Sequence, residues 1–258
     1  MTPEVPGTGS PDHEEPILIT PEMLAPARAV KPAARRDGRI DFERGMRRLP
    51  LFIATLIVAN VAVFAWEVAS GAFLDRKSLI ESGLHVANQI NPLEAGALVR
   101  VRVLAGEWWR VFTTMFLHGG PDHLIGNMVA LYIVGMACEH AFGAARTALV
   151  YFGSGVTGAA FSLATGPGPS VGASGAIFGV LAAVAVMLYK NQDRFYVRDK
   201  RIGFVLVAWA AWQLLTGFLS PFIDNFAHLG GMTGGALAAL LLTPRLTAEA
   251  TVGGGRGR

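Results

Sequence analysis

The sequence predicts an all-α membrane protein built as a bundle of six transmembrane helices. The chain is 52% hydrophobic and 16% charged, whereas an average soluble domain is about 25% charged. Its mean hydropathy is +0.43, and its 31 glycines suit membrane helices, which pack closely through small residues. The net charge of +3 comes without a basic-aromatic cluster. We therefore expect the lipid bilayer as a partner and no nucleic acid.

Six apolar segments predict the spans, because a spanning helix needs about 20 mostly apolar residues. The run Gly166-Pro167-Gly168-Pro169 separates the third span from the fourth, since Pro and Gly interrupt helices. A long segment of mixed charge, 67–116, lies between the first two spans. In chain order the predicted spans are residues 49–66, 121–142, 147–165, 172–189, 202–220 and 225–242.

The spans divide the chain into three parts. Residues 1–48 hold Pro, Gly and both charge signs with few aromatics, which predicts a largely disordered cytoplasmic tail. Residues 49–243 form the predicted six-helix core, and residues 244–258 form a short flexible C-terminal tail.

Basic residues predict the orientation of the bundle. They cluster before the first span, between the fourth and fifth spans, and after the sixth span. The positive-inside rule therefore predicts that both termini are cytoplasmic. The chain shows no segment resembling a signal peptide or transit peptide, which favours a bacterial inner membrane.

Ser174 and His228 are the main candidate functional residues. A polar group at membrane depth is costly, so it usually faces a cavity or a partner. Ser174 opens the fourth span, and His228 lies about one turn into the sixth. Both spans start on the same side of the membrane, so the two side chains are expected at similar depth. A serine with a histidine as its base is a pattern for nucleophilic catalysis, which suggests hydrolysis inside the bilayer.

Glycines are placed to bring these two helices together. Gly175 lies on the Ser174 span, and Gly231 and Gly235 lie on the His228 span at i, i+4 spacing. Such small-xxx-small spacing lets helix backbones approach closely.

A second polar cluster opens the second span. His123 and Asn127 are i, i+4 and share a helical face, and His118 precedes them. An imidazole and a carboxamide can donate hydrogen bonds to a developing oxyanion. No acidic residue is obviously placed to orient His228, so a Ser–His dyad is the simplest interpretation. The sequence has no HExxH motif and no cysteine cluster, so we expect neither a metal nor another cofactor.

Two further features, one motif and one acidic residue, stand apart from this cluster. The sequence Trp108-Trp109-Arg110 is typical of an interfacial anchor, because indole and guanidinium groups settle at headgroup depth. Glu139 is expected to make a structural contact at the cytoplasmic end of the second span.

Taken together, these motifs resemble the rhomboid family of intramembrane serine proteases. The resemblance covers about residues 49–243 and rests on motifs in the family's order and at family-like spacing. They are Trp109-Arg110, His118 with His123 and Asn127, Gly172-Ala173-Ser174-Gly175, and Ala227-His228 followed by Gly231 and Gly235.

The resemblance implies a role for each of these positions. Ser174 would be the nucleophile and His228 the general base and acid. The Ser174 backbone N–H, His123 and Asn127 would form the oxyanion hole. Trp109-Arg110 would belong to a first external loop that is partly embedded in the membrane.

Three other positions also match or depart from the family pattern. Asn225 falls where the family often has Asn, and Glu139 matches a structural acidic position. Phe178 stands where the family often has a Tyr whose ring packs against the catalytic histidine, so ring stacking is expected without the hydroxyl.

Substrates implied by the resemblance are single-span membrane proteins with a small residue before the cleaved bond.

Other interpretations stay open at this point. Ser174 alone, or the glycine pairs alone, are typical of ordinary helix packing. The chain could be a non-proteolytic rhomboid-like protein that binds membrane helices, although such relatives typically lack the serine or the histidine. A transporter using His118, His123 and His228 would predict internal repeats, and no convincing repeat is present in the sequence.

Overall fold

The computed structural model describes residues 39–70, 96–165, 169–198, 200–219 and 223–246. Within these ranges the chain is mostly helical, with one pair of two-residue strands. Numbered in chain order, the helices are α1 (Leu51–Ala69), α2 (Arg100–Leu104), α3 (Arg110–Thr113), α4 (Pro121–Phe142), α5 (Ala144–Thr165), α6 (Ser174–Lys190), α7 (Lys200–Leu219) and α8 (Asn225–Leu241).

Each predicted span coincides with one of the longer helices, within a few residues at each end. In the described part of the chain, α1, α4 and α5 are long and apolar enough to cross a membrane. Helix α6 and the Gly203–Leu219 part of α7 are apolar but shorter. The length criterion thus supports a membrane-spanning bundle, and the count of six spans stays a prediction.

The bounds of α4 follow from its flanking residues. Pro121 occupies the first turn, where its missing N–H is not needed. Gly143 ends the helix with a φ of 79°, in the left-handed region that favours glycine. Its backbone N–H donates to the carbonyl of Glu139 at 2.8 Å. Local chemistry therefore sets both ends of this helix.

Helices α6 and α8 form the tightest contact near the candidate site. A Cβ on Gly231 would overlap the carbonyl oxygen of Gly175, and one on Gly235 would overlap that of Gly179. These two contacts advance by four residues along both helices, so the helices run parallel. Only glycine allows backbones this close, and the sequence prediction of close glycine-mediated packing is confirmed.

The carboxylate of Glu139 in α4 contacts the start of α1. It accepts backbone N–H bonds from Phe52 at 3.4 Å and Ile53 at 3.1 Å. The residue before α1 is Pro50, which provides no side-chain cap, so Glu139 satisfies N–H groups that the helix leaves unpaired. This is a structural contact between the two helices.

Residues 39–48 pack onto the bundle. Strand β1 (Ile40–Asp41) pairs in parallel with β2 (Phe195–Tyr196), which lies between α6 and α7. Phe42 is buried, and its carbonyl accepts a hydrogen bond from His140 Nε2 at 2.8 Å. The sequence analysis placed these residues in the disordered tail, whereas they are part of the fold. The remainder of that tail, 1–38, lies outside the described residues, as do 71–95 and 247–258.

Candidate active site

Ser174 and His228 are in direct contact. The Ser174 hydroxyl lies 2.9 Å from His228 Nε2, and His228 is 3% exposed. Ser174 is the first residue of α6, and His228 lies in the first turn of α8, so the close packing of these helices brings the two together. A hydroxyl bonded to a neutral imidazole nitrogen can lose its proton as it attacks an electrophile.

The other imidazole nitrogen, His228 Nδ1, is buried and has no hydrogen-bond partner among the described residues. A carboxylate in that position is what completes a Ser-His-Asp triad. The nearest acidic residue along the chain, Asp224, is engaged elsewhere. Within the described residues, the arrangement is therefore a serine–histidine pair.

Asp224 is a residue whose place the sequence analysis missed. It caps α8, with Oδ1 accepting the Ala227 N–H at 2.9 Å. Its other carboxylate oxygen accepts a hydrogen bond from the Ser162 hydroxyl in α5. An Asp just before an apolar helical run is a recognisable N-cap signal, although its partner in α5 has no sequence signature. The two bonds fix the first turn of α8, which holds His228, against α5.

The ring of Phe178 stacks on the imidazole of His228. The ring centroids lie 4.3 Å apart and the planes differ by 16°. Phe178 lies on α6, four residues after Ser174, and is completely buried. The ring stacking expected at this position is present.

His123 and Asn127 of α4 approach the same place from a third helix. A Cβ on Gly172 would lie 2.9 Å from His123 Nε2 and 3.5 Å from Asn127 Nδ2. Gly172 has a φ of 125°, which favours glycine, and it lies two residues before Ser174. Both nitrogens therefore point toward the backbone next to the serine.

Both nitrogens are suitable hydrogen-bond donors. The backbone N–H of Gly119 donates to His123 Nδ1 at 3.3 Å, so a neutral His123 has its proton on Nε2. Asn127 Nδ2 is buried and has no hydrogen-bond partner among the described residues. An unpaired buried amide donor costs free energy, and a bound acceptor at this position would remove that cost.

The ring of His118 packs against the ring of His123. The two rings make an edge contact at 5.3 Å. The backbone N–H of His118 donates to the carboxylate of Glu67, at 3.2 and 3.3 Å to its two oxygens. Glu67, near the end of α1, is fully buried and was not singled out from the sequence. The first predicted span ended at residue 66, whereas α1 continues to Ala69, so this acid was not recognised as lying within a span, where it would be a candidate functional or structural residue by default.

Arg110, which was predicted to be part of an interfacial anchor, is buried inside the protein. It is 1% exposed, its guanidinium contacts the Glu107 carboxylate at 2.6 Å, and its Nη1 donates to the Ala97 carbonyl at 2.8 Å. The ion pair and the carbonyl compensate the loss of hydration, so Arg110 holds the 96–110 segment together. Trp109, by contrast, is 45% exposed, which is compatible with an interfacial position.

A small cavity of about 20 Å³ lies beside Ser174. Volumes of this size accommodate about one water molecule or a methyl-sized group. Most of its lining residues are glycine or alanine, and the others are Leu98, Thr114, Met115, Ser170 and Ser174. Within the described ranges, no group of three or more His, Cys, Asp or Glu residues is arranged to hold a metal ion.

Asn225 and Gly235 of α8 were also predicted as supporting residues of the site. Asn225 Nδ2 donates to the Leu214 carbonyl at 2.9 Å, which joins α8 to α7. Gly235 lies in the glycine contact with α6 and away from the hydroxyl–imidazole pair. Both residues contribute to helix packing around the site.

The fold and this site together define a helical membrane protein with a partly buried serine–histidine pair between its helices. The family model for the rhomboid domain matches residues 105–245, which is more than half of the chain. The chain belongs to the rhomboid family. It is therefore an integral, multi-pass membrane protein.

Three relatives illustrate the similarity. Rhomboid protease GluP of Bacillus subtilis (strain 168) is 40% identical over 147 residues, covering 57% of this chain and 28% of GluP. RHOMBOID-like protein 1 of Arabidopsis thaliana is 35% identical over 212 residues, covering 76% of this chain and 54% of the relative. Rhomboid protease AarA of Providencia stuartii is 32% identical over 213 residues, covering 72% of this chain and 70% of AarA. The chain thus spans about half or less of the length of the first two relatives.

Proposed function

We propose that this protein is an intramembrane serine endopeptidase in which Ser174 is the nucleophile and His228 is the general base and acid. The observation that supports this most strongly is the 2.9 Å contact between the Ser174 hydroxyl and Nε2 of the buried His228, among the helices of a membrane protein. Membership in a family with relatives named rhomboid proteases supports the same conclusion.

The proposed reaction proceeds through an acyl-enzyme. His228 Nε2 takes the hydroxyl proton as Ser174 Oγ attacks a peptide carbonyl carbon. The tetrahedral intermediate collapses, the C–N bond breaks, and His228 returns the proton to the leaving amine. A water molecule, activated by His228, then hydrolyses the ester and releases the serine. The cavity beside Ser174 is large enough for about one such water.

In this mechanism the oxyanion is held by three donors. They are His123 Nε2–H, Asn127 Nδ2 and the Ser174 backbone N–H, which belongs to the first turn of α6 and so needs no intrahelical acceptor. The helix dipole at this end also favours negative charge. Preorganised donors of this kind stabilise the transition state because no reorganisation is needed during the reaction.

Replacing Asn127 by alanine tests the oxyanion hole. Asn127→Ala removes one donor, and we expect kcat to fall by on the order of 10²-fold with little change in KM. Asn191→Ala is the matched control, because Asn191 caps the opposite end of α6, where its amide bonds the Met187 carbonyl. Equal kcat values for Asn127→Ala and wild type would remove Asn127 from this role.

The proposed substrates are single-span membrane proteins with a small residue before the cleaved bond. The cavity walls of glycine and alanine beside Ser174 suit a small side chain. A helical substrate hides its carbonyls, so it must unwind locally before attack. Entry would occur between α4 and α7, with α7 tilting away.

The proposal includes the topology predicted from the charges. All six longer helices span the membrane, α6 and α8 start at its external side, and both termini lie in the cytoplasm. Cleavage then takes place near the external face. The membrane proposed is the bacterial inner membrane.

A fluorophosphonate probe tests the function directly. Purified protein in detergent would be treated with the probe and compared with Ser174→Ala and His228→Ala. We expect covalent labelling of wild type at Ser174 and none in either variant. If a folded wild-type sample reacts with neither this probe nor a second serine-reactive scaffold, the protease proposal is wrong. The helix-binding alternative would then be favoured.

A further inference from the structure

The imidazole of His228 needs something other than a hydrogen bond to hold its orientation. Nε2 faces Ser174, and Nδ1 is buried with no hydrogen-bond partner among the described residues. Asp224 does not serve: its two oxygens accept from the Ala227 N–H and from Ser162, and neither is bonded to Nδ1. An imidazole that rotates away from Ser174 cannot act as its base.

Ring stacking provides an orienting contact. Phe178 lies almost parallel to the imidazole, at 4.3 Å and 16°. Trp209 of α7 in turn stacks on Phe178, with ring centroids 5.4 Å apart and an interplanar angle of 29°. Trp209, Phe178 and His228 thus form a continuous aromatic stack from α7 to the candidate base. The indole limits how far the Phe178 ring can tilt or withdraw from the imidazole.

Helix α7, where the stack ends, is held loosely. Of its side chains that the structure describes, only that of Ala210 is buried. Trp209 is one of two α7 side chains, with Leu206, that pack against the buried core. Near its other end, α7 is joined to α8 by the bond from Asn225 to the Leu214 carbonyl. A displacement of α7 would therefore pull Trp209 away from Phe178.

We propose that Trp209 is a positioning residue that holds the His228 imidazole, through Phe178, in the orientation that Ser174 requires. The reactivity of the serine is thereby coupled to the position of α7. This inference rests on the proposed protease function, and it adds a residue that touches neither substrate nor the reacting atoms.

Trp209→Leu removes the ring and keeps an apolar side chain. We expect the rate of Ser174 labelling by a fluorophosphonate and the kcat for a transmembrane substrate to fall together by about 3- to 10-fold, the range expected for losing one stacked aromatic contact. KM should not change. A small probe does not need to enter between helices, so its rate reports on the dyad alone.

Two matched variants separate positioning from packing. Trp209→Phe keeps a ring and should retain most of the wild-type labelling rate. Trp212→Leu changes a tryptophan that is 62% exposed on the same helix and should leave both rates unchanged. Trp209→Met gives a second ring-free variant if Trp209→Leu does not fold.

A double-mutant cycle tests the route through Phe178. In a Phe178→Leu background the stack is already broken, so adding Trp209→Leu should lower the labelling rate no further. If the two substitutions instead lowered the labelling rate by the product of their separate effects, Trp209 would act by another path, and the proposal would be overturned.

The remaining outcomes are equally decisive. If Trp209→Leu raised KM and left the labelling rate unchanged, Trp209 would act in substrate entry. If KM, kcat and the labelling rate all stayed at wild-type values, Trp209 would have no role. Either result contradicts a positioning role. Failure of wild type to label at Ser174 would instead refute the protease function itself. The two failures are therefore distinguishable.

Discussion

Ser174→Ala and His228→Ala should each lower kcat for a transmembrane substrate by at least about 10⁴-fold. Ser174→Ala removes the attacking oxygen, and His228→Ala removes the base 2.9 Å from it. A water molecule cannot replace either group, because neither the covalent nucleophile nor the oriented base would then be present. Turnover would be measured by following the cleaved substrate in detergent or in liposomes.

The double variant gives the sharper test. If the two residues act as one unit, Ser174→Ala/His228→Ala should be no slower than Ser174→Ala alone. Ser154→Ala is a suitable control, because Ser154 is also a buried serine of the bundle and its hydroxyl has no hydrogen-bond partner among the described residues. Residual turnover in Ser174→Ala within tenfold of wild type would show that another group is the nucleophile.

The features that the sequence predicted well are those that depend on local pattern. The bounds of α4 follow from Pro121 at its start and Gly143 at its end, both of which act within one turn. The contact between α6 and α8 follows from glycines at i, i+4 spacing, and because these helices run parallel, Ser174 and His228 meet near their N-terminal ends. Together these local signals predict from the sequence alone that the two side chains lie close to each other.

The contacts that were missed join residues far apart in the chain. The carboxylate of Glu67 receives the His118 N–H from 51 positions away, and Ser162 binds Asp224 across 62 positions. Neither pair has a spacing rule, because the partners meet only after the helices have packed. Each pair positions an element of the site without touching the dyad.

Arg110 is buried in the protein, whereas the sequence predicted an interfacial anchor at headgroup depth. A Trp-Trp-Arg sequence resembles an interfacial anchor when it is considered alone. Glu107, three residues earlier and half-buried, pairs with the guanidinium at 2.6 Å, and the Ala97 carbonyl accepts a further hydrogen bond, so the guanidinium can be buried. The i, i+3 acid was the available sign that Arg110 forms an internal ion pair.

The packing of α6 against α8 predicts a large effect for the smallest possible substitution. In Gly231→Ala the new Cβ would overlap the Gly175 carbonyl, which is backbone and cannot move aside as a flexible side chain would. The helices must separate, and overpacking of this kind costs about 1–3 kcal/mol of folding stability. Because Gly175 is adjacent to Ser174 and Gly231 is three residues after His228, the dyad should open as well. A displacement of about 1 Å can lower the rate about 10²-fold.

A comparison with Gly235→Ala separates the loss of stability from the loss of geometry. Its Cβ would overlap the Gly179 carbonyl, in the same helix pair but one turn farther from Ser174. Both variants should therefore melt at lower temperature than wild type, whereas Gly231→Ala should show the slower Ser174 labelling. Gly153→Ala in α5 is the control, because a Cβ there meets nothing within 4 Å. Wild-type melting and labelling in Gly231→Ala would mean that α6 and α8 do not approach as closely as their glycines allow.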